Sequence, residues 1–173
     1  MKCTYTEGAI VGKTAELGYA EPGTGLHTMD IEKRVTSAFH EFSERSTQPR
    51  HVIARSLIRL GKSGAVFSAE DLIRRLHKTN PGIGRATVYR SIEKLVQLKV
   101  LDRIDFTDGT HYYRMCGSES HHHHLACTRC HRVVDLEICL EEEKIAAIGR
   151  QQSFSIKEHA ITLFGLCKEC GPG

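Results

Sequence analysis

The sequence predicts an α+β fold made of an N-terminal winged helix and a C-terminal small α/β domain with antiparallel strands. Three observations predict it. Apolar residues recur at helical spacing from Ile31 to Val96 and then switch to period two over residues 101–106 and 111–115, so helices precede a strand pair. Two Cys-x-x-Cys pairs, Cys127/Cys130 and Cys167/Cys170, frame a C-terminal segment too short to bury a core unaided. The charge is uneven: residues 31–100 hold 14 Lys and Arg against 6 Asp and Glu, a net +8, while residues 1–30 carry −2 and residues 101–173 carry −3.

Residues 1–28 are studded with glycine, include Pro22-Gly23 and show no sustained period, which predicts a loosely structured arm. Residues 29–115 form the expected winged helix. Ile31, Val35, Ala38, Phe39 and Phe42 make one helical stripe. Thr47-Gln48-Pro49 opens a second helix with Val52, Ile53, Leu57 and Leu60 inward, and Gly61 and Gly64 are expected to end it. Ser68-x-x-Asp71 resembles a capping box before Leu72, Ile73 and Leu76. After the Asn80-Pro81-Gly82 turn, a fourth helix from near Gly84 buries Val88, Ile92, Leu95 and Val96 and turns Tyr89, Arg90, Glu93, Lys94 and Gln97 outward. The Asp108-Gly109 pair between the two period-two runs is a strong hairpin signal. Helices followed by a hairpin is the winged-helix order, with the last helix reading the major groove and the hairpin as wing. Residues 116–120 are small and polar, a hinge, and residues 121–173 hold a short strand near 133–136, a helix over 140–148 and an alternating strand through His159, Ile161 and Leu163.

At 173 residues and 40% hydrophobic content the chain is long enough to bury a core. No apolar run approaches the roughly 20 residues of a membrane span and no signal-peptide core opens the chain, so a cytoplasmic protein is expected. The basic segment coincides with the winged helix and suits a polyanion such as nucleic acid, with a solvated charged surface as the plainer alternative.

The paired cysteines point to metal. Four thiolates close a tetrahedral shell around zinc with no open position, which is a structural rather than a catalytic arrangement. Two disulfides or reduced core cysteines are the alternative. Residues 121–124 are four consecutive histidines inside a folding unit, not a terminal tag. In an extended segment they alternate, so His122 and His124 serve one face while His121 and His123 serve the other. Cys3 and Cys139 have no evident partner and read as ordinary thiols. A zinc hydrolase or deaminase needs an open coordination position and a nearby general acid, and neither His-x-Glu nor His-Glu-x-x-His occurs.

Over residues 31–170 the chain resembles the ferric uptake regulator family of metal-responsive repressors. The resemblance rests on Thr47-x-Pro49-Arg50, Ser68-Ala69-Glu70-Asp71-Leu72, Ala86-Thr87-Val88-Tyr89-Arg90, HHHHLACTRC over 121–130 and GLCKEC over 165–170. It implies a winged helix, a dimerisation domain, no enzymatic activity, and up to three ions per subunit. Cys127, Cys130, Cys167 and Cys170 would hold structural zinc. Asp102, Cys116, His122 and His124 match the regulatory set of zinc-sensing members, with Asp135 as the alternative to Asp102. His121, His123, Glu142 and His159 match a third site. Iron-type members carry a His and a Glu where this chain has Val66 and Arg114. For DNA, the resemblance implies Arg45 in the minor groove; Tyr89 can pack on a thymine methyl while Arg90 reaches a phosphate, and Arg50, Arg85 and Lys94, with Thr87 beside them, are candidates for contacts that position without specifying. The expectation is a homodimeric zinc-responsive repressor of an AT-rich inverted repeat, with an iron-, manganese- or peroxide-responsive regulator as runner-up.

Overall fold

In the computed structural model the described residues are 28–41, 47–117, 121–136 and 138–171; the expected arm, Phe42, Arg45 and Cys3 lie outside them. The chain divides into two compact units, one spanning Gly25–Gly117 and the other including Ser118–Gly173.

The first unit runs α1 (Thr28–Glu41), α2 (Gln48–Lys62), α3 (Ala69–His77), α4 (Arg85–Gln97), β1 (Leu101–Asp105) and β2 (His111–Met115). Two of the helices, α2 and α3, start for a local reason. Pro49 stands in the first turn of α2, although the Thr47 side chain makes no capping bond. At α3 the capping box is complete: Ser68 Oγ accepts from the Asp71 N–H at 3.1 Å, and Asp71 Oδ2 accepts from the Ser68 N–H at 3.1 Å, a motif whose loss costs about 1 kcal/mol. The inward faces meet in one core, where Val35, Ile53, Leu57, Leu72, Leu76, Val88, Ile92 and Leu95 are at most 1% exposed. Each such side chain contributes about 1.5–3 kcal/mol of burial.

Gly61 does not end α2. It lies inside the helix, where a Cβ would fall 2.5 Å from Met115 Cγ and 2.9 Å from Ile31 Cγ2. Its role is close approach. Gly64, just past the helix, takes φ +63° and ends it as expected.

The wing is a hairpin with register Leu101↔Met115 through Asp105↔His111, turning at Gly109 with φ +82°. Phe67 adds a third, one-residue rung by exchanging backbone hydrogen bonds of 2.9 and 2.8 Å with Tyr113. Arg34 of α1 clamps both roots of the hairpin, donating to the carbonyls of Cys116 at 2.8 Å and Lys99 at 2.9 Å. Helices followed by this hairpin form a winged helix.

The second unit holds β3 (His123–Cys127), β4 (Val133–Leu136), α5 (Glu142–Gln152) and β5 (Thr162–Gly165), with strand order β4-β3-β5. β4 pairs antiparallel with β3, but β5 runs parallel to it, so the sheet is mixed. The helix begins later than residue 140 because three glutamates, Glu141–143, favour the positive N-terminal end of a helix. Few side chains are buried here, chiefly His123, Ala126, Cys127 and Val133. Ile138, Leu140, Ile148, Phe154, Ile156, Leu163 and Leu166 stay exposed.

Candidate metal centres and nucleic-acid interface

The sheet of the second unit gathers metal-binding side chains at both ends. At one end, β3 finishes on Cys127 and turns through Cys130, while β5 leads into Cys167 and Cys170. The turns are fixed by backbone hydrogen bonds from His131 N to Cys127 O at 3.0 Å and from Cys170 N to Cys167 O at 2.9 Å. The four sulfurs lie within 4.8 Å of one another. Cys130 and Cys167 are 3.6 Å apart, close to the edge of about 3.8 Å that four 2.3 Å zinc–sulfur bonds set in a tetrahedron and far beyond a disulfide bond. None of the six described cysteines is joined in a disulfide. The donor set therefore fits zinc. Backbone N–H groups of Cys130 and Cys167 lower the Cys127 thiol to about 6, which favours the thiolate form that binds metal. The Glu169 carboxylate, hydrogen-bonded to Cys167, together with the surrounding sulfurs pushes that thiol up to about 12.

At the other end, the alternation of the histidine run separates two groups. His122 and His124 stack edge to face with centroids 5.0 Å apart. In the β3–β4 register His124 lies opposite Asp135, and His124 Nε2 is 3.8 Å from Asp135 Oδ1. His122, His124 and Asp135 each bring a donor atom to within 4.8 Å of the others. Asp102 and Cys116, also expected in the regulatory set, belong to the first unit. Asp102 is the register partner of Arg114, and Cys116 is 3% exposed with its N–H on Val100 O at 3.0 Å.

On the opposite face, His121, His123 and His159 converge. His121 Nε2 is 3.2 Å from His123 Nε2 and 2.9 Å from His159 Nε2. His123 is 1% exposed, and its Nδ1 accepts from the Ile161 N–H at 3.2 Å. Burial, then the neighbouring imidazoles, hold its pKa below the usual histidine value. The fourth member of this group is Cys139, whose Sγ is 3.2 Å from His159 Nε2. Glu142 is not in it: it is the exposed first residue of α5. Sequence reading passed over Cys139, which has no spacing partner.

On α4, Arg85, Arg90 and Lys94 are exposed and Thr87 is half-buried; Arg50 is half-buried on α2. Tyr89 is not simply outward. Its hydroxyl donates to Glu70 at the start of α3, which also pairs with Arg85 at 3.5 Å. That hydrogen bond lowers the Glu70 pKa and raises that of Tyr89. Glu70 thus orients the residues expected to face DNA. Arg45 lies outside the described residues.

A winged helix joined to a small sheet domain with converging thiolates and imidazoles defines a DNA-binding, metal-binding regulator. The chain belongs to the Ferric uptake regulator family, whose model matches residues 41–164, and it is accordingly a metal-responsive transcription regulator and not an enzyme. It is 37% identical over 139 residues to the ferric uptake regulation protein of Bacillus subtilis (strain 168), covering 79% of this chain and 92% of that relative. Among solved structures it is similar to the Vibrio cholerae ferric uptake regulator, at 25% identity and TM-score 0.53 over 80% of this chain and 100% of that one. A zinc uptake regulator complexed with zinc and DNA shares the fold at 20% identity and TM-score 0.59, over 80% of this chain and 93% of that one. No helix among the described residues is long and apolar enough to cross a membrane.

Proposed function

We propose that the chain is a zinc-responsive repressor that binds an AT-rich inverted repeat as a homodimer, with structural zinc on Cys127, Cys130, Cys167 and Cys170 and a regulatory ion on His122 and His124 with Asp102 and Cys116. The observation that carries the choice of metal is the donor chemistry: Val66 and Arg114 stand where iron-type members place a His and a Glu, and a set of one thiolate, two imidazoles and one carboxylate suits four-coordinate zinc. Zinc, when bound, supplies a rigid tetrahedral crosslink. Asp102 and Cys116 flank the wing hairpin at the second residue of β1 and just past β2, so engaging them with histidines of the other unit makes DNA-reading geometry depend on occupancy. Turning a mostly incompetent dimer into a mostly competent one takes a preference of about 5 kcal/mol for the closed form. The exposed apolar side chains of the second unit, Ile148, Phe154 and Leu163 among them, supply a surface for pairing of two copies.

A second reading, an iron-, manganese- or peroxide-responsive regulator, is favoured by one observation: His122, His124 and Asp135 already form a nitrogen and oxygen set without sulfur, and such sets suit harder ions. Cys116→Ser separates the two. The zinc reading expects zinc-dependent DNA binding to be lost while zinc on the cysteine quartet and the dimer persist. The variant and wild type are titrated with zinc, iron and manganese in a gel shift, on DNA selected from a random pool by the metal-loaded protein. Unchanged operator binding at the same free zinc would remove Cys116 from the site and leave Asp135 with the histidines.

A further inference from the structure

Three strand ends bring the third donor group together. His121 lies three residues before His124, and His159 lies three residues before Thr162, the parallel partner of His124, so the two lead-in segments run level. Cys139 lies three residues beyond Leu136, the antiparallel partner of His123, and so leaves the sheet at the same end. Zinc–nitrogen bonds of 2.0–2.1 Å and a zinc–sulfur bond of 2.3 Å set tetrahedral edges of about 3.3 Å between nitrogens and about 3.6 Å between nitrogen and sulfur. The observed edges are 2.9 and 3.2 Å for His121 to His159 and His123, and 3.2 Å for Cys139 to His159. The rings meet at 89° for His121 with His123, 62° for His121 with His159 and 41° for His123 with His159, and the atoms that approach one another are their Nε2 nitrogens.

We propose that His121, His123, His159 and Cys139 form a zinc site with three nitrogens and one sulfur, in which Cys139 and not Glu142 is the fourth ligand. The thiolate changes what the site selects. A carboxylate in that position admits oxygen-preferring ions such as manganese or iron(II), whereas one thiolate with three imidazoles favours zinc and its spectroscopic stand-in cobalt(II). It also ties the β4–α5 connection, which carries the exposed Ile138 and Leu140 on either side of Cys139, to the sheet. This assignment rests on the family's metal chemistry but not on which ion the regulatory set takes.

The test uses the full chain with zinc retained on the cysteine quartet and Cys116→Ser as background, so that the regulatory set contributes no thiolate. Cobalt(II) added to this protein is expected to give a near-ultraviolet sulfur-to-cobalt charge-transfer band. The band should vanish in Cys116→Ser/Cys139→Ser and persist in Cys116→Ser/Glu142→Gln, with zinc affinity at the site falling about a hundredfold or more when the ligand is removed. A band that survives without Cys139, or disappears with Glu142→Gln, overturns the proposal. Because a cysteine variant can fail to fold, wild-type protein provides an independent measurement: zinc should slow alkylation of Cys139, read by peptide mass, by about tenfold or more. An alkylation rate that zinc leaves unchanged also overturns it. Failure of the zinc-sensing reading shows separately, as Cys116→Ser protein that still binds operator at the wild-type zinc concentration.

Discussion

Gly61→Ala is expected to destabilise the winged helix despite replacing the poorer helix former. Propensity alone favours alanine by about 1 kcal/mol inside a helix. Against this, the added methyl falls 2.5 Å from Met115 Cγ and 2.9 Å from Ile31 Cγ2, where carbons prefer about 3.5–4.0 Å. Met115 can rotate away, but Ile31 is β-branched and 3% exposed, so it has few rotamers to choose from. Overpacking of this kind costs about 1–3 kcal/mol. With two partners from different elements in conflict, the upper part of that range applies, and the net loss is about 1–2 kcal/mol. Urea unfolding followed by tyrosine fluorescence reads the effect, because the chain has no Trp, residues 118–173 contain no Tyr, and three of its five Tyr, Tyr89, Tyr112 and Tyr113, lie in the first unit; Tyr5→Phe and Tyr19→Phe in both proteins remove the signal of the other two. The midpoint should fall with an unchanged slope. An alanine variant as stable as wild type, or more so, would show that the wing and α1 are not closed onto α2 as described.

Two further outcomes address the other parts of the molecule. Cys127→Ser or Cys170→Ser should release zinc and unfold or monomerise the C-terminal unit, since structural zinc of this type contributes about 10–16 kcal/mol to folding; a fully folded dimer with its zinc content unchanged would refute the structural assignment. Tyr89→Ala and Arg90→Ala should weaken operator binding without changing dimerisation or zinc content, and Arg90→Ala should lower the salt slope by about one if it contacts a phosphate; gel shifts across a salt series that leave both variants at wild-type affinity would move the DNA-reading surface off α4.

What the sequence revealed of this fold was what local physics controls. The capping box at Ser68, the turn at Gly109 and the helical faces of α2 and α4 follow from contacts within a few residues, and the structure repeats them. Gly61 misled for a physical reason: a helix-interior glycine and a terminating one look alike until the neighbour, Met115, is known to arrive from 54 positions away. The parallel β3–β5 pairing was likewise invisible, because register between distant strands leaves no periodic trace. The cysteine quartet was legible since x2 spacing is itself a ligand geometry. Cys139 was not, as three of its partners come from other strand ends and no spacing links them.

The alternation of donors along β3 has a consequence for timing in the life of a molecule. A slip of one residue in this strand would turn every side chain to the opposite face, exchanging His121 and His123 for His122 and His124 and dissolving both histidine groups at once. Only one frame presents both, and Cys127, the last residue of the same strand, sits in the quartet that would lock it. If the quartet holds zinc as proposed, its capture would fix this frame, and with it both histidine groups. Each copy would report on the metal supply of the cell only after having drawn on it once, and the supply at birth would set how many working sensors exist at all.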